Sequence, residues 1–128
     1  MRKIKRFVKR ALDSIELLSI LLCGYKEQIM FTWSEEKNEA NKKKHGFYLS
    51  DIVDVFDDLY LLDFYDEAHS SLEEDRFITI GRFHDAVILS VVTTDRKDGN
   101  IQIITAREAT PKEEKTYNDN YRKRTCSI

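Results

Sequence analysis

The sequence predicts an α+β fold: an antiparallel β-sheet meander flanked by two N-terminal helices and a C-terminal helix. Three observations carry this expectation. Residues 34–58 hold the cap residues and spacing of two successive helices. Four β-rich runs follow between residues 59 and 107, separated by short turns. A strongly capped helix then closes the chain from Thr110.

In order, Phe31-Thr32-Trp33 reads as a short strand. Ser34 is a good N-cap, and Glu35 and Glu36 fall in the first turn, where the helix dipole favours acids. This first helix runs through Lys42, Lys43 and Lys44 and stops at Gly46. A second, shorter helix opens at Ser50. Its Leu49, Ile52, Val53 and Phe56 follow i, i+3, i+4, i+7 spacing, and Asp57-Asp58 ends it.

The strand candidates are 59–65, 76–83, 86–94 and 101–107, rich in Ile, Val, Phe, Tyr and Thr. His84-Asp85 marks one tight turn and Asp98-Gly99 the next. Connections this short require antiparallel neighbours. Thr110-Pro111-Lys112-Glu113 supplies an N-cap, a proline at the first helical position and a capping-box glutamate, so the last helix should reach about Lys123. The expected order is β-α-α-β-β-β-β-α, with the helices against one sheet face.

A chain of 128 residues has room for one ordinary domain. With 41% apolar and 34% charged residues it should be soluble and folded. Cys23 and Cys126 have neither disulfide-framework nor metal-type spacing, so a reducing, cytoplasmic setting is expected. Net charge is −2, unevenly spread. Residues 1–29 hold 7 Lys/Arg and 3 acids, which leaves 14 and 20 for residues 30–128, a balance of −6. An acidic body excludes a general phosphate-backbone binder, so any contact with nucleic acid must come from a local cluster of cations.

Residues 1–29 form a separate N-terminal extension. Its Ile4, Phe7, Val8, Ala11, Leu12, Ile15, Leu18 and Leu22 have helical spacing, which fits a basic amphipathic helix on a membrane or a partner. Asp13 and Glu16 interrupt the apolar region, which argues against a secretory signal. The favoured expectation is that Met30 is the true start. No membrane role is expected for residues 30–128.

The order of motifs resembles the BrnT toxin family, whose fold is similar to the RelE-type ribonucleases. The matching pieces are Phe31-Thr32-Trp33, Asn41-Lys42-Lys43-Lys44-His45-Gly46, Val55-Phe56-Asp57-Asp58, the run from Asp75 to Arg82, the run from Ile103 to Thr110, Glu113-Glu114 and Tyr117. They span almost all of residues 30–128, and 1–29 have no counterpart. The resemblance implies a growth-inhibiting toxin that cleaves RNA. It also implies an adjacently encoded antitoxin, which neutralises the toxin and binds operator DNA on behalf of the pair.

RNA is cleaved without metal or cofactor when its own 2′-hydroxyl attacks the adjacent phosphate. The protein then supplies a base, an acid and cations for the crowded phosphate charge. Arginine suits the last task, since its planar fork matches phosphate oxygens. Arg107 is the first candidate, because it stands where the last strand meets the capped helix. Alternation places it on the same strand face as Ile101, Ile103 and Thr105, at the rim of an apolar surface. A surface arginine paired with an acid is the plain structural alternative.

Arg76 and Arg82 bracket one strand and share a face with Ile78 and Ile80. They could grip successive phosphates, Arg82 as a binding rather than a catalytic residue, or simply be solvated strand ends. Lys44 and His45 close the first helix, where a cation also suits the dipole. Histidine is the natural acid–base group near neutral pH. Glu114, Tyr117 and Tyr121 fall on one side of the last helix. Glu114 is a candidate RNA contact, and Tyr117 a candidate acid or base if nearby cations lower its pKa. Metal use is not expected: Asp57, Asp58, Asp63 and Asp66 sit where aspartate is locally favoured, and His69 and His84 lack a ligand at metal spacing. The alternative to an RNA endonuclease is a non-catalytic interaction module or corepressor that binds an antitoxin-like partner.

Overall fold

The computed structural model describes residues 30–84 and 86–126. The expected helix or upstream extension over 1–29, Cys23, and Asp85 of the expected turn lie outside them.

The chain forms β1 (Phe31–Thr32), α1 (Glu35–His45), a 3-10 helix (Ile52–Asp57), β2 (Leu62–Tyr65), β3 (Arg76–Phe83), β4 (Val87–Asp95), β5 (Ile101–Glu108) and α2 (Pro111–Cys126). The Ser34 side chain accepts the Lys37 N–H and so caps α1, and Gly46 ends it at φ 86°, a left-handed conformation that glycine adopts without a Cβ clash. At the start of α2 the capping box forms in both directions. The Thr110 N–H donates to Glu113 Oε1 at 2.8 Å, and the Glu113 N–H donates to Thr110 Oγ1 at 3.2 Å.

The five strands lie in the order β1-β5-β4-β3-β2. Strands β2 to β5 make the expected antiparallel meander. The expectation of a wholly antiparallel sheet is corrected at one edge, because β1 pairs with β5 in parallel. A parallel pair needs a long crossover, and α1 through β4 supply it. The second helix is a single 3-10 segment rather than an α-helix, with Ile52, Val55 and Phe56 buried. Strand β2 starts three residues later than expected. Asp58 holds a turn there, accepting the Tyr60 N–H on Oδ1 while its carbonyl receives the Leu61 N–H.

The helices do not share one sheet face. Leu49, Ile52, Val55 and Phe56 cluster with Leu89, Val91, Ile101, Ile103 and Ala106. Tyr117 of α2 clusters with Leu62, Ile80 and Ile88. Ile88 and Leu89 are neighbours on one strand and so point to opposite faces. The 3-10 helix therefore packs on one face, where Asn41 also ties α1 to Ala106, and α2 packs on the other. Both faces of β3 and β4 are thereby partly buried, which explains why those strands read as nearly continuous apolar runs. Among the described residues, no helix is long and apolar enough to cross a membrane.

Candidate functional site

The face under α2 carries most of the candidate residues. Register places Leu62, Ile80, Ser90 and Arg107 side by side across it, with Arg82 beside Ile88 and Arg76 beside Thr94. Arg76, Arg82 and Arg107 thus project from one surface. Helix α2 covers the half around Leu62, Ile80 and Ile88. The other half has a floor of Phe64, Ile78, Val92 and Thr105, aligned across four strands. Phe64 and Thr105 are exposed and the other two half-buried.

Arg107 reaches this face because of a bulge. Val92 pairs with Thr105 but Thr93 with Ile103, so Ile104 is an extra residue. One inserted residue reverses the alternation beyond it. Ile101 and Ile103 face the 3-10 helix, whereas Thr105 and Arg107 face α2. The expectation that Arg107 shares a face with Ile101 and Ile103 is thereby corrected.

Arg107 is held in a fork-to-fork pair. Its Nη1 and Nη2 donate to Glu113 Oε1 and Oε2 at 2.8 and 3.1 Å, and Ser90 Oγ donates to Oε2 at 3.3 Å. The hydrogen bonds that Arg107 donates to Glu113 raise its pKa further, against partial burial. Burial pushes the Glu113 carboxyl up, but the bonds from Arg107 and Thr110 together outweigh it and leave it below the usual range. With both side chains partly exposed, such a pair stabilises by at most ~1 kcal/mol. Its larger effect is to fix where the guanidinium lies.

Arg76 is bound differently. Its Nε donates to Glu74 Oε1 at 2.7 Å, and Nη1 and Nη2 have no partner among the described residues. Arg82 lies under two rings, 5.7 Å from the Tyr117 centroid and 5.0 Å from that of Tyr121. Its Nε is buried without a hydrogen-bond partner among the described residues. A shallow cleft beside it is lined by Arg82, Pro111, Glu114, Lys115, Tyr121 and Arg122 among others. Arg82 and Glu114, each expected separately as an RNA contact, both line this cleft.

Tyr117 is completely buried. Its hydroxyl donates to Asp58 Oδ2 at 2.6 Å, and the same oxygen accepts the Arg82 N–H at 2.8 Å. Burial and then the Asp58 carboxylate push the phenol well above its ordinary value, and Arg82 opposes them only in part. The condition set for Tyr117 as an acid or base was a lowered pKa; the shift runs the other way. Tyr117 is a buried strut between α2 and the turn before β2.

Lys44 and His45 end α1, which is clasped to β5 through Asn41. The Asn41 amide donates to the Ala106 carbonyl at 2.9 Å and accepts the Ala106 N–H at 3.0 Å. Among the described residues, no hydrogen bond or ion pair joins Lys44 or His45 to the three arginines. The structure thus brings Arg76, Arg82, Arg107, Glu114 and Tyr117 to one face and leaves Lys44 and His45 on the neighbouring helix end.

Sequence reasoning missed a group at the rim. One residue past β2, the Asp66 N–H donates to the Arg76 carbonyl at 2.8 Å, which sets Asp66 opposite Arg76. His69 Nδ1 lies 2.8 Å from Asp66 Oδ2. The Asp-x-x-His spacing was the available signal, and it is invisible to a search for metal-ligand pairs. Among the described residues, no group of three or more His, Cys, Asp or Glu side chains is placed to hold a metal ion.

A family model described as the ribonuclease toxin BrnT of a type II toxin–antitoxin system matches residues 33–113. Among solved structures, the chain is similar to the ribonuclease toxin BrnT of Brucella abortus. Identity is 26%, with 65% of this chain and 99% of that chain covered and a TM-score of 0.54. No curated protein matches the chain.

Proposed function

The chain belongs to the BrnT family of type II toxin–antitoxin ribonuclease toxins, and on that premise we propose that it cleaves RNA on the sheet face framed by Arg76 and Arg107. The observation that carries the reading is the set of three arginines on one face, beside a floor that α2 leaves open. A single-stranded RNA lays its bases on Phe64, Ile78 and Val92 and its phosphates against the guanidinium groups. The phosphate that accumulates charge during 2′-hydroxyl attack is stabilised by Arg76, whose outer edge is open, and by Arg107, which Glu113 keeps oriented. Arg82 and Glu114 line the continuation of that track beside α2, and Tyr117 holds the helix in place. Lys44 and His45 stand on the side of β5, where they meet a longer RNA. No metal or cofactor enters this scheme.

The protein acts in the cytoplasm and is neutralised by an antitoxin, a DNA-binding protein that carries the pair to operator DNA. An acidic body suits a basic partner segment, because opposite potentials speed association. A second reading has one observation in its favour: Glu113 already fills the Arg107 fork. On that reading the chain is a non-catalytic corepressor.

Expression of the full chain from a tightly controlled promoter separates the two. The ribonuclease reading expects growth arrest with rapid RNA cleavage, relieved by co-expression of the neighbouring gene. Replacing both Arg76 and Arg107 with alanine should abolish the arrest while binding to the antitoxin survives. Normal growth and intact RNA from soluble, folded protein would favour the corepressor.

A further inference from the structure

The loop that links β2 to β3 is built around one hydroxyl. Ser70 Oγ accepts the Arg76 N–H at 2.8 Å and donates to the Asp66 carbonyl at 2.7 Å, standing in for the direct bond of the strand ladder. The residue before it, His69, is thereby carried to the side of Asp66 and Arg76. Asp66 and Arg76 are cross-strand neighbours, and side chains so paired lie about 5 Å apart at Cβ. The His69 side chain is 71% exposed and that of Asp66 only 11%. A half-hidden carboxylate thus orients a histidine that is open to solvent.

An ionised carboxylate only accepts hydrogen bonds, so Nδ1 of His69 carries the proton shared with Asp66. That leaves Nε2 with its lone pair directed away from Asp66. On the strand facing Asp66, the Nη1–Nη2 edge of Arg76 has no partner among the described residues, while Glu74 fixes the guanidinium through Nε. A base with its orienting acid, and on the facing strand a cation with an open fork, are thus carried by one end of the β2–β3 pair, next to the open floor. Elsewhere on that face, Tyr117 is buried on Asp58, and Glu113 is committed to Arg107, Thr110 and Ser90.

We infer that His69 is the general base of the cleavage, with Asp66 as its positioning residue and Arg76 as the phosphate grip; this rests on the ribonuclease reading above. The 2′-hydroxyl gives its proton to His69 Nε2 as its oxygen attacks phosphorus. The bond from phosphorus to the 5′-oxygen breaks, and the departing oxygen takes a proton from water. The imidazolium returns its proton to solvent. The products are a 2′,3′-cyclic phosphate and a 5′-hydroxyl end.

The test uses the purified full chain, a defined single-stranded RNA and the same oligonucleotide with 2′-deoxy residues. Wild-type protein should cleave the first and not the second. His69→Ala should slow single-turnover cleavage by roughly 10²- to 10⁴-fold, with binding of the deoxy oligonucleotide changed by less than about threefold. Free imidazole should restore part of the His69→Ala activity, which a purely structural histidine would not allow. If wild type cleaves and His69→Ala is within about threefold of it, or if the products carry 5′-phosphates, the role of His69 is overturned while the ribonuclease reading stands. If wild type cleaves no RNA, both fail together.

Discussion

Asp58 is the residue on which most of the site's geometry converges. Its Oδ1 accepts the Tyr60 N–H, and its Oδ2 accepts the Arg82 N–H and the Tyr117 hydroxyl. One carboxylate thereby ties the turn before β2 to β3 and to α2. Tyr117→Phe keeps the ring packing and removes one bond to a charged acceptor, a loss of about 1.5–3 kcal/mol. The pH dependence has a definite sign. A phenol whose folded pKa is raised contributes stability that is complete below its unfolded value near 10 and is lost as pH rises toward the folded value. Denaturant unfolding from pH 8 to 11 should show wild type losing more stability above pH 10 than Tyr117→Phe does. Parallel alkaline limbs for the two proteins would refute this account of Tyr117.

At the scale of elements, α1 shows why an apolar pattern is not always the signal to look for. Its buried residues are Asn38 and Asn41, not leucines. Asn41 presents one donor and one acceptor to Ala106, as a neighbouring strand would, and Asn38 Oδ1 accepts the Leu49 N–H at 2.6 Å. Asn41→Ala strands a buried N–H and a buried carbonyl, each worth about 1–3 kcal/mol. It should therefore lower stability by roughly 2–5 kcal/mol in chemical unfolding, far more than the same change at half-buried Asn100 in the turn between β4 and β5. A loss below about 1 kcal/mol would mean that water or a backbone shift replaces the clasp.

The same scale explains what the sequence could and could not reveal. Caps at Ser34, Gly46 and Thr110 and the turn at Asp98-Gly99 are local, so α1, α2 and the meander were legible. The parallel docking of β1 and the bulge at Ile104 depend on tertiary partners. A run such as Ile101-Gln102-Ile103-Ile104-Thr105 gives no parity of its own. The faces of Arg107 and the helices were therefore misplaced, and the three arginines could be named but not assembled. His69 was passed over because its partner role depends on Ser70 bridging two strands.

At the scale of the molecule, residues 30–128 carry a balance of −6, so RNA bound on the proposed face would meet repulsion away from the gathered cations. Affinity should then be weak and concentrated in Arg76, Arg82 and Arg107. For single strands, each neutralised phosphate contributes about −0.7 to the slope of log affinity against log salt. Comparing variants with wild type removes the contribution of the basic residues 1–29, which all of them share. Using a 2′-deoxy oligonucleotide, Arg76→Ala should make the slope shallower by about 0.7, and the Arg76→Ala, Arg107→Ala pair by about 1.4. Lys37→Ala, an exposed cation on α1, should leave it unchanged. Equal effects from Lys37 and Arg76 would mean that the RNA samples the whole surface. No effect from either arginine would mean that Glu74 and Glu113 already neutralise them, and the open floor would then have to hold RNA through its bases alone.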